Sequence, residues 1–187
     1  MTNDQGVYTK ILDLARPYLD TRCNDIHTAI AFQLARQLLE CYPDADESVV
    51  LPAVILHDVG WKMIPEDKQL TAFGPNMADP ELRRRHEQEG ARIARGILDI
   101  VEYDPAKSAE VVAIIDGHDS RETALSLNDQ LVKDADKLWR FTADGIEIDH
   151  LRFGFTMEDY CVWLGDQIDR WMFTAEAKLI ARQYLTA

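Results

Sequence analysis

The chain has 187 residues, with 20 Lys and Arg against 33 Asp and Glu, so its formal net charge at pH 7 is −13. At about 150 residues per domain, this length predicts one domain over residues 1–187, and the negative charge argues against nucleic acid as a partner. Hydrophobic residues make up 47% of the chain, but no apolar run approaches the roughly 18 residues that a membrane helix needs, so no membrane partner is expected.

The first predicted helix runs over residues 25–41. Its apolar positions recur every three or four residues, which is the spacing of one helix face. They are Ile26, Ile30, Leu34 and Leu38. A second helix is predicted over the almost wholly apolar segment Val49–Leu56, with Ser48 as its N-cap. His57 and Asp58 follow directly after this segment.

A long loop with a short turn inside it is predicted over residues 59–80, because Gly and Pro interrupt any continuous element there. Asp79 and Pro80 are typical of the N-cap and the first position of a helix, which is predicted to continue through Leu98. Two further helices are predicted, from Pro105 to about Asp116 and from about Asn128 to Phe141.

The C-terminal part of the chain, residues 156–187, is predicted to add two helices that pack on this core. Thr156 and Thr174 are suitable N-caps, since a threonine hydroxyl can accept one of the free N–H groups at a helix start. Between these elements, Gly145–Ile148 is at most a short extended piece, and no alternating pattern is long enough for a sheet. The sequence therefore predicts the all-α class, as a single compact helical bundle.

Four of the five histidines fall 30, 29 and 32 residues apart, so each successive helix or helix end carries one imidazole. They are His27, His57, His86 and His118. His27 and His86 share a helix face with apolar residues, so both rings are expected to point inward. A lone inward histidine is more often a hydrogen-bonded core residue, but four together indicate a site. The fifth, His150, lies outside this pattern and is expected to be structural.

Acidic residues at two places extend this pattern. Asp58 follows an apolar helix, where a buried carboxylate needs a compensating donor or cation, and a metal ion would provide one. Asp134 and Asp136 interrupt an otherwise apolar helix, and two residues apart they lie about 200° around its axis. Only one of them is expected to reach a given ion, while the other would cap or orient a neighbouring group.

The series His27, His57-Asp58 and a later Asp before Lys-Leu resembles the HD superfamily of metal-dependent phosphohydrolases, which is named for its adjacent His-Asp pair. The resemblance covers residues 25–141 and includes the Leu-His-Asp-Val-Gly stretch that ends at Gly60. It implies a helical HD domain with a metal site between its central helices. It also implies four metal ligands, namely His27, His57, Asp58 and Asp136.

Asp136 is preferred to Asp134 because the acid of this family usually follows a small residue and precedes a basic residue and Leu. In two-metal members, further histidines stand between the His-Asp pair and the last acid, as His86 and His118 do here. The resemblance then implies that Asp58 bridges two ions. A second His-Asp pair begins at His118, but it follows a polar turn and is not taken as the family signature.

Imidazoles and carboxylates together suit a divalent transition metal rather than Mg, which prefers oxygen ligands. Fe or Mn is expected first, with Co, Ni or Zn as other choices. Two ions about 3.5–4 Å apart would hold an activated water and the oxygens of a phosphate ester together. With a single ion, His86 and His118 would instead bind phosphate or act as general acids. Asp58 and Lys62 complete the predicted catalytic residues.

Cations near these positions are candidates for binding the phosphate of a substrate. Lys62 lies in the loop just after the His-Asp pair. The others are Lys133, Lys137 and the run Arg83-Arg84-Arg85. Each of these can also be an ordinary solvated surface charge. Trp61 and Trp139 are expected to be core or rim residues, with the alternative that they line a pocket, since both stand next to ligand positions.

The sequence thus predicts a metal-dependent phosphohydrolase that acts on a small phosphate ester, such as a nucleotide, through metal-activated water. The alternative is a mixed-valence di-iron oxygenase of the same superfamily with a small hydroxylated or phosphonate substrate, since the ligand order also resembles those enzymes. A third interpretation is a module that keeps the site for ligand sensing. Three cysteines without a CxxC pair and an N-terminus unlike a signal peptide predict a cytoplasmic protein, whose oligomeric state stays open.

Overall fold

A computed structural model of the protein describes residues 4–75 and 77–186, and all regular secondary structure within these ranges is helical. The helices are α1 (Asp4–Leu19), α2 (Asn24–Cys41), α3 (Glu47–Leu56), α4 (Glu66–Gln69), α5 (Pro80–Ile100), α6 (Pro105–Ile115), α7 (Leu127–Leu138), α8 (Ala143–Phe153), α9 (Met157–Trp171) and α10 (Ala175–Tyr184). Two 3₁₀ turns are added, at Val59–Met63 and Trp139–Phe141. The prediction of an all-α bundle is confirmed.

The central helix of the bundle is α3. Every residue of Val49–Leu56 is buried, and the helix packs against α1, α2, α6 and α7. An element surrounded on all sides has no face for polar side chains, which explains its continuous apolar sequence. Its burial stabilises the fold by about 25 cal/mol for each Å² of apolar surface removed from water. The end of α3 therefore delivers His57 and Asp58 into the interior.

Helix starts follow the predicted capping residues at three places. Asp79 accepts a hydrogen bond from the Leu82 N–H at 3.0 Å before α5, and Thr156 and Thr174 accept the corresponding bonds before α9 and α10. The predicted cap of α3 is wrong, because Asp46 takes that role and accepts a hydrogen bond from the Ser48 N–H at 2.9 Å. Ser48 is the second residue of α3, and its own N–H has no acceptor within the helix.

Two segments differ from the predicted elements. Gly145–Ile148 belongs to helix α8 and is not extended, since the Thr142 hydroxyl caps the helix by accepting the Gly145 N–H. A Cβ at Gly145 would lie 2.0 Å from the Trp139 carbonyl oxygen, so this glycine serves close packing and not a turn. Helix α1 was not among the predicted elements, although Tyr8, Ile11, Ala15 and Leu19 repeat at helical spacing and are buried.

The C-terminal helices cover one side of the bundle. Helix α10 packs against α7, α9 and α2, and α9 also contacts α8. Helix α7 therefore lies between the central helices and α10, which places one face of α7 on each. Among the residues that the structure describes, no helix combines the length and the apolar character needed to cross a membrane.

Candidate metal centre

His57 and His118 enter the interior through the same local arrangement, at the ends of α3 and α6. The His57 Nδ1 lies 2.8 Å from the Val54 carbonyl oxygen, and the His118 Nδ1 lies 3.0 Å from the Ile115 carbonyl oxygen. A carbonyl oxygen only accepts, so each Nδ1 carries a proton and donates it. In the neutral rings, the lone pair is therefore on Nε2, and both Nε2 atoms face the same buried region.

A first group of potential metal ligands consists of His27, His57 and Asp136. Helix α2 supplies His27, which is 4% exposed, and its Nε2 lies 3.1 Å from the His57 Nε2. Helix α7 supplies Asp136, whose Oδ1 lies 3.3 Å from the His27 Nε2 and 3.4 Å from the His57 Nε2. Three helices thus bring two imidazoles and one carboxylate to a common point.

A second group consists of His86, His118 and Asp119. Helix α5 supplies His86, and its Nε2 lies 3.4 Å from the His118 Nε2. Asp119 follows His118 in the chain, and its Oδ2 lies 3.5 Å from the His86 Nε2 and 3.8 Å from the His118 Nε2. This group has the same composition as the first one, with two imidazoles and one carboxylate.

Asp58 lies between the two groups and turns one oxygen toward each. Its Oδ2 lies 3.7 Å from the His57 Nε2 in the first group, and its Oδ1 lies 3.5 Å from the His118 Nε2 in the second. The Trp61 indole N–H donates to Oδ1 at 3.0 Å, which fixes the orientation of the carboxylate. Asp58 is 4% exposed, so both oxygens belong to the interior.

This donor set fits divalent transition metal ions. The Nε2 atoms of His57 and His118 face carboxylate oxygens at the distances given above, so lone pairs meet lone pairs there unless a proton or a metal ion lies between them. Three sets of three side chains could each hold an ion, with ligand atoms within 4.8 Å of one another. They are His27, His57 and Asp136; His57, Asp58 and His118; and His86, His118 and Asp119. A cation between them would replace the mutual repulsion of lone pairs by attraction.

The charges of the cluster move the pKa values of its members in opposite directions. Burial and the neighbouring His118 lower the pKa of His86 to about 4. Burial also acts to lower the pKa of His118, but Asp58 and Asp119 outweigh it and raise this pKa to about 9. For Asp58, burial acts to raise the pKa, and the opposing charge of His57 leads the effects that hold it well below its ordinary value. The cluster thus keeps the Asp58 carboxylate, which lies between the two groups, ionised.

Asp134 and Asp136 lie on opposite sides of α7. Asp136 faces the first group, whereas Asp134 faces α10 and accepts the N–H groups of Phe173 and Thr174 at 2.7 and 2.9 Å and the Thr174 hydroxyl at 2.6 Å. Burial raises the pKa of Asp134 to about 6, despite these donors. The geometry thus brings Asp136 to the imidazoles and assigns Asp134 to the start of α10.

Lys62 does not enter the site, in contrast to its predicted role. Its ammonium group donates to the Asp20 carbonyl oxygen at 2.7 Å on the outside of the bundle. The 3₁₀ turn that begins at Val59 explains this, because it rotates Lys62 away while burying Trp61. His150 also stays apart from the cluster, with its Nδ1 3.2 Å from the Phe155 carbonyl oxygen.

Lys133 reaches the site region but is occupied by the backbone. Its ammonium group donates to the carbonyl oxygens of Gly117, His118 and Arg121, at 3.0, 2.6 and 3.0 Å. An ammonium group has three protons, so this contact uses all of them. Lys133 therefore holds the loop that carries His118 and has no proton left for a phosphate group, the role predicted for it.

Lys137 joins the two groups of donors. Its ammonium group lies 2.6 Å from the Asp136 Oδ2 and 2.5 Å from the Asp119 Oδ1. Each contact leaves the other oxygen of the carboxylate directed at the imidazoles, since Asp136 uses Oδ1 and Asp119 uses Oδ2 there. Lys137 thus orients one carboxylate in each group.

Both predicted tryptophans contact the cluster. Trp61 stacks on His86, with ring centroids 3.9 Å apart and an angle of 15° between the ring planes. Trp139 lies 4.7 Å from the His27 ring, and its buried indole N–H has no hydrogen-bond partner within the described part of the chain. Trp61 also lines the cavity beside the cluster.

Sequence reasoning missed two acidic residues of the site. Asp119 was set aside with the second His-Asp pair, although it follows a histidine just as Asp58 does. Glu87 is fully buried and accepts the N–H groups of Asp119 and Ser120 at 2.9 and 2.6 Å, so it holds the loop after His118. Its position next to His86 was the available signal, because a charged residue beside an inward histidine needs a polar partner.

A cavity of about 820 Å³ lies beside the cluster, a size suited to a small-molecule ligand. At the cluster its lining includes Asp58, His118 and Lys137, and at the far side it reaches Trp163 and Trp171 of α9. Of the predicted arginine run, Arg83 lines this cavity. Arg84 is paired with Glu87 and Asp116, and Arg85 is exposed.

A family model described as HD domain matches residues 24–140, more than half of the chain. The matched range contains all members of the cluster described above. Comparison with curated proteins and with solved structures gives no match.

Proposed function

Because the chain belongs to the HD domain family, whose members are mostly metal-dependent hydrolases, we propose that it is a phosphohydrolase acting on a small phosphate ester, such as a nucleotide. The proposal includes a centre of two divalent ions, Fe or Mn first and Co, Ni or Zn as other choices. His27, His57 and Asp136 would hold one ion, and His86 and His118 the other, with Asp119 beside them.

The observation that carries the two-ion proposal is the position of Asp58. Its two oxygens point to different groups of donors, with Oδ2 at 3.7 Å from His57 and Oδ1 at 3.5 Å from His118. A carboxylate between two sites of like composition can serve both ions at once. Each ion would then have two imidazoles and a shared carboxylate from this chain.

The chemistry supplied by such ions, when bound, is Lewis acidity toward phosphate oxygens and a lowered pKa of coordinated water. The residues of the chain do the remaining work. Trp61 and Lys137 orient carboxylates by hydrogen bonds, so the donors are in place before substrate arrives. Burial of the histidine and carboxylate side chains would limit the access of bulk water to ions held there, and the cavity of about 820 Å³ leaves room for the organic part of the ester.

The test is phosphate release from a panel of nucleotides and phosphomonoesters, with added Mn or Fe and a chelator control. The Asp58→Ala variant serves as the blank, and Asp99→Ala, which changes an exposed acid of α5, is the matched control. We expect release that requires metal and Asp58 but is unchanged in Asp99→Ala. If the iron-loaded protein releases no phosphate from any compound of the panel but consumes oxygen with a phosphonate, the hydrolase is refuted and the oxygenase is established.

The proposal also places the protein in the cytoplasm. Cys23, Cys41 and Cys161 are all free thiols, two of them exposed, which suits a reducing compartment. Fractionation of cells that express the chain tests this point.

A further inference from the structure

Arg22 lines the cavity and has two buried guanidinium nitrogens without a hydrogen-bond partner among the described residues. The residue lies in the link between α1 and α2 and lines the cavity beside the metal cluster. Its Nε and Nη1 atoms are buried, and neither has a partner among the described residues. Buried N–H groups are nearly always satisfied in proteins, so two on one side chain indicate a missing acceptor.

The surroundings of Arg22 keep its charge in place while leaving these donors unused. The guanidinium carbon lies 4.0 Å from the centre of the Trp61 ring and 3.8 Å from the centre of the Phe73 ring. Such cation–π contacts favour the charge but take up no N–H donor. Burial lowers the pKa of Arg22 to about 10, partly offset by Asp58, so the group stays protonated at neutral pH.

The backbone of this link is also held in an unusual conformation. Arg22 and Cys23 both have positive φ, 56° and 59°, a region that residues other than glycine rarely enter. The Arg22 carbonyl oxygen accepts a hydrogen bond from the Arg152 guanidinium at 2.7 Å, which fixes the link from outside. The fold therefore holds Arg22 in this orientation although the backbone of the link is locally strained.

Most other cations along the cavity already have partners. Lys133 donates to three carbonyl oxygens, and Lys137 lies between two carboxylates. Arg121 pairs with Asp129. Arg83 and Arg121 each have one buried nitrogen, Nε, without a partner among the described residues, whereas Arg22 has two. Among the described cations that line the cavity, Arg22 is thus the one with two buried N–H donors that lack a partner.

We propose that Arg22 binds the oxyanion of the substrate, its phosphoryl oxygens, beside the metal centre. A guanidinium group offers planar pairs of N–H donors that match the oxygens of a phosphoryl group, and it is desolvated before the ligand arrives. The nature of the anion rests on the proposed function. The anion-binding role rests on the geometry of Arg22 itself, and it also suits a phosphonate.

The test is binding of inorganic phosphate to the Mn-loaded protein, measured by calorimetry. Arg22→Met keeps an unbranched side chain between the two rings and removes the donors, so we expect phosphate to bind roughly tenfold to hundredfold more weakly. Arg22→Lys, which keeps the charge but not the planar donors, should fall between this variant and the wild type. The matched control is Arg95→Met, which removes an exposed arginine of α5 and should leave phosphate binding unchanged.

Metal content and melting temperature of each variant are measured alongside, and both are expected to stay near the wild-type values. Phosphate affinity of Arg22→Met within about twofold of the wild type would overturn the proposal, as would a wild type that binds no phosphate. Should Arg22→Met fail to fold, the Arg22 Nε–H signal of the Zn-loaded wild type is followed by NMR, since Zn, unlike Mn, is not paramagnetic. A shift on phosphate addition supports the proposal, and an unchanged signal overturns it.

These outcomes are distinct from those that decide the proposed function. Phosphate binding that depends on Arg22, in a protein that hydrolyses no ester, would refute the hydrolase and keep the anion site. Hydrolysis with unaltered phosphate affinity in Arg22→Met would do the reverse.

Discussion

Replacing Asp134 and Asp136 of α7 by Asn, one at a time, should show which of them supports metal binding. Asp134 is fully buried and accepts three hydrogen bonds from Phe173 and Thr174 at the start of α10. The amide nitrogen of Asn only donates, so at least one of these three donors loses its acceptor in Asp134→Asn. Asp136, in contrast, faces His27 and His57 at 3.3 and 3.4 Å and has no part in that contact.

The size of the stability effect follows from the lost hydrogen bond. A buried donor left without an acceptor costs about 1–3 kcal/mol. In a domain of this size, each kcal/mol shifts the melting temperature by about 2–4 °C, so Asp134→Asn should melt about 2–12 °C below the wild type. Lys137, with His27 and His57, holds the pKa of Asp136 well below its ordinary value, so its charge also stabilises the fold and Asp136→Asn should lower the melting temperature of the metal-free protein as well. The two variants should differ in bound metal, which falls in Asp136→Asn and not in Asp134→Asn.

The measurements are melting by circular dichroism in chelator and metal per chain after dialysis against Mn. Each variant is the control for the other, since both make the same chemical change on one helix. Metal loss in Asp134→Asn with full metal content in Asp136→Asn would refute the assignment of the two acids. Equal loss of bound metal in both variants would refute the separation of their roles.

Three further changes test the surroundings of the cluster. In Gly60→Ala, the new Cβ would lie 1.9 Å from the His86 carbonyl oxygen, whereas ordinary contacts are 3.4 Å or more, so α5 and its His86 must move. Bound metal, measured by mass spectrometry, should then drop by about one ion per chain. Lys62→Met should leave phosphate release unchanged, because this ammonium group binds Asp20 outside the cavity; a loss of activity would contradict its placement. Removing metal with a chelator should lower the melting temperature. If metal had been present at 100 times its Kd, the free energy of unfolding should fall by about 2.7 kcal/mol, and an unchanged melting temperature would argue against a metal centre.

The sequence predicted the helices best where local signals and packing agree. The apolar face of α2 and the Asp79-Pro80 start of α5 are such places, and both bounds agree with the structure to within two residues. Gly145 was misleading, because a glycine in a short apolar stretch suggests an extended turn, whereas here it allows close contact with the Trp139 backbone. That contact is tertiary, and no local pattern reports it.

For the site, the inward histidines and Asp58 could be predicted, because each stands in an apolar element where a polar residue needs a reason. The direction of Lys62 could not, since it depends on the 3₁₀ turn after α3. Arg22 gave no local signal either, because it lies in a short link and meets Phe73 only in the folded chain. Residues whose roles depend on contacts with parts of the chain distant in sequence are therefore the ones that local sequence patterns do not predict.

The hydrogen bonds from His57 and His118 to the carbonyl oxygens of Val54 and Ile115 connect the cluster to the ends of two helices. The last four carbonyl groups of a helix have no partner within it, and here an imidazole supplies one. Unwinding of the last turn of α3 or α6 would release the ring that it orients, so an ion held by these rings opposes fraying. Amide hydrogen exchange in those two turns should therefore slow on metal loading. The exchange rates at the C-terminal ends of α3 and α6 would then report whether the centre holds metal.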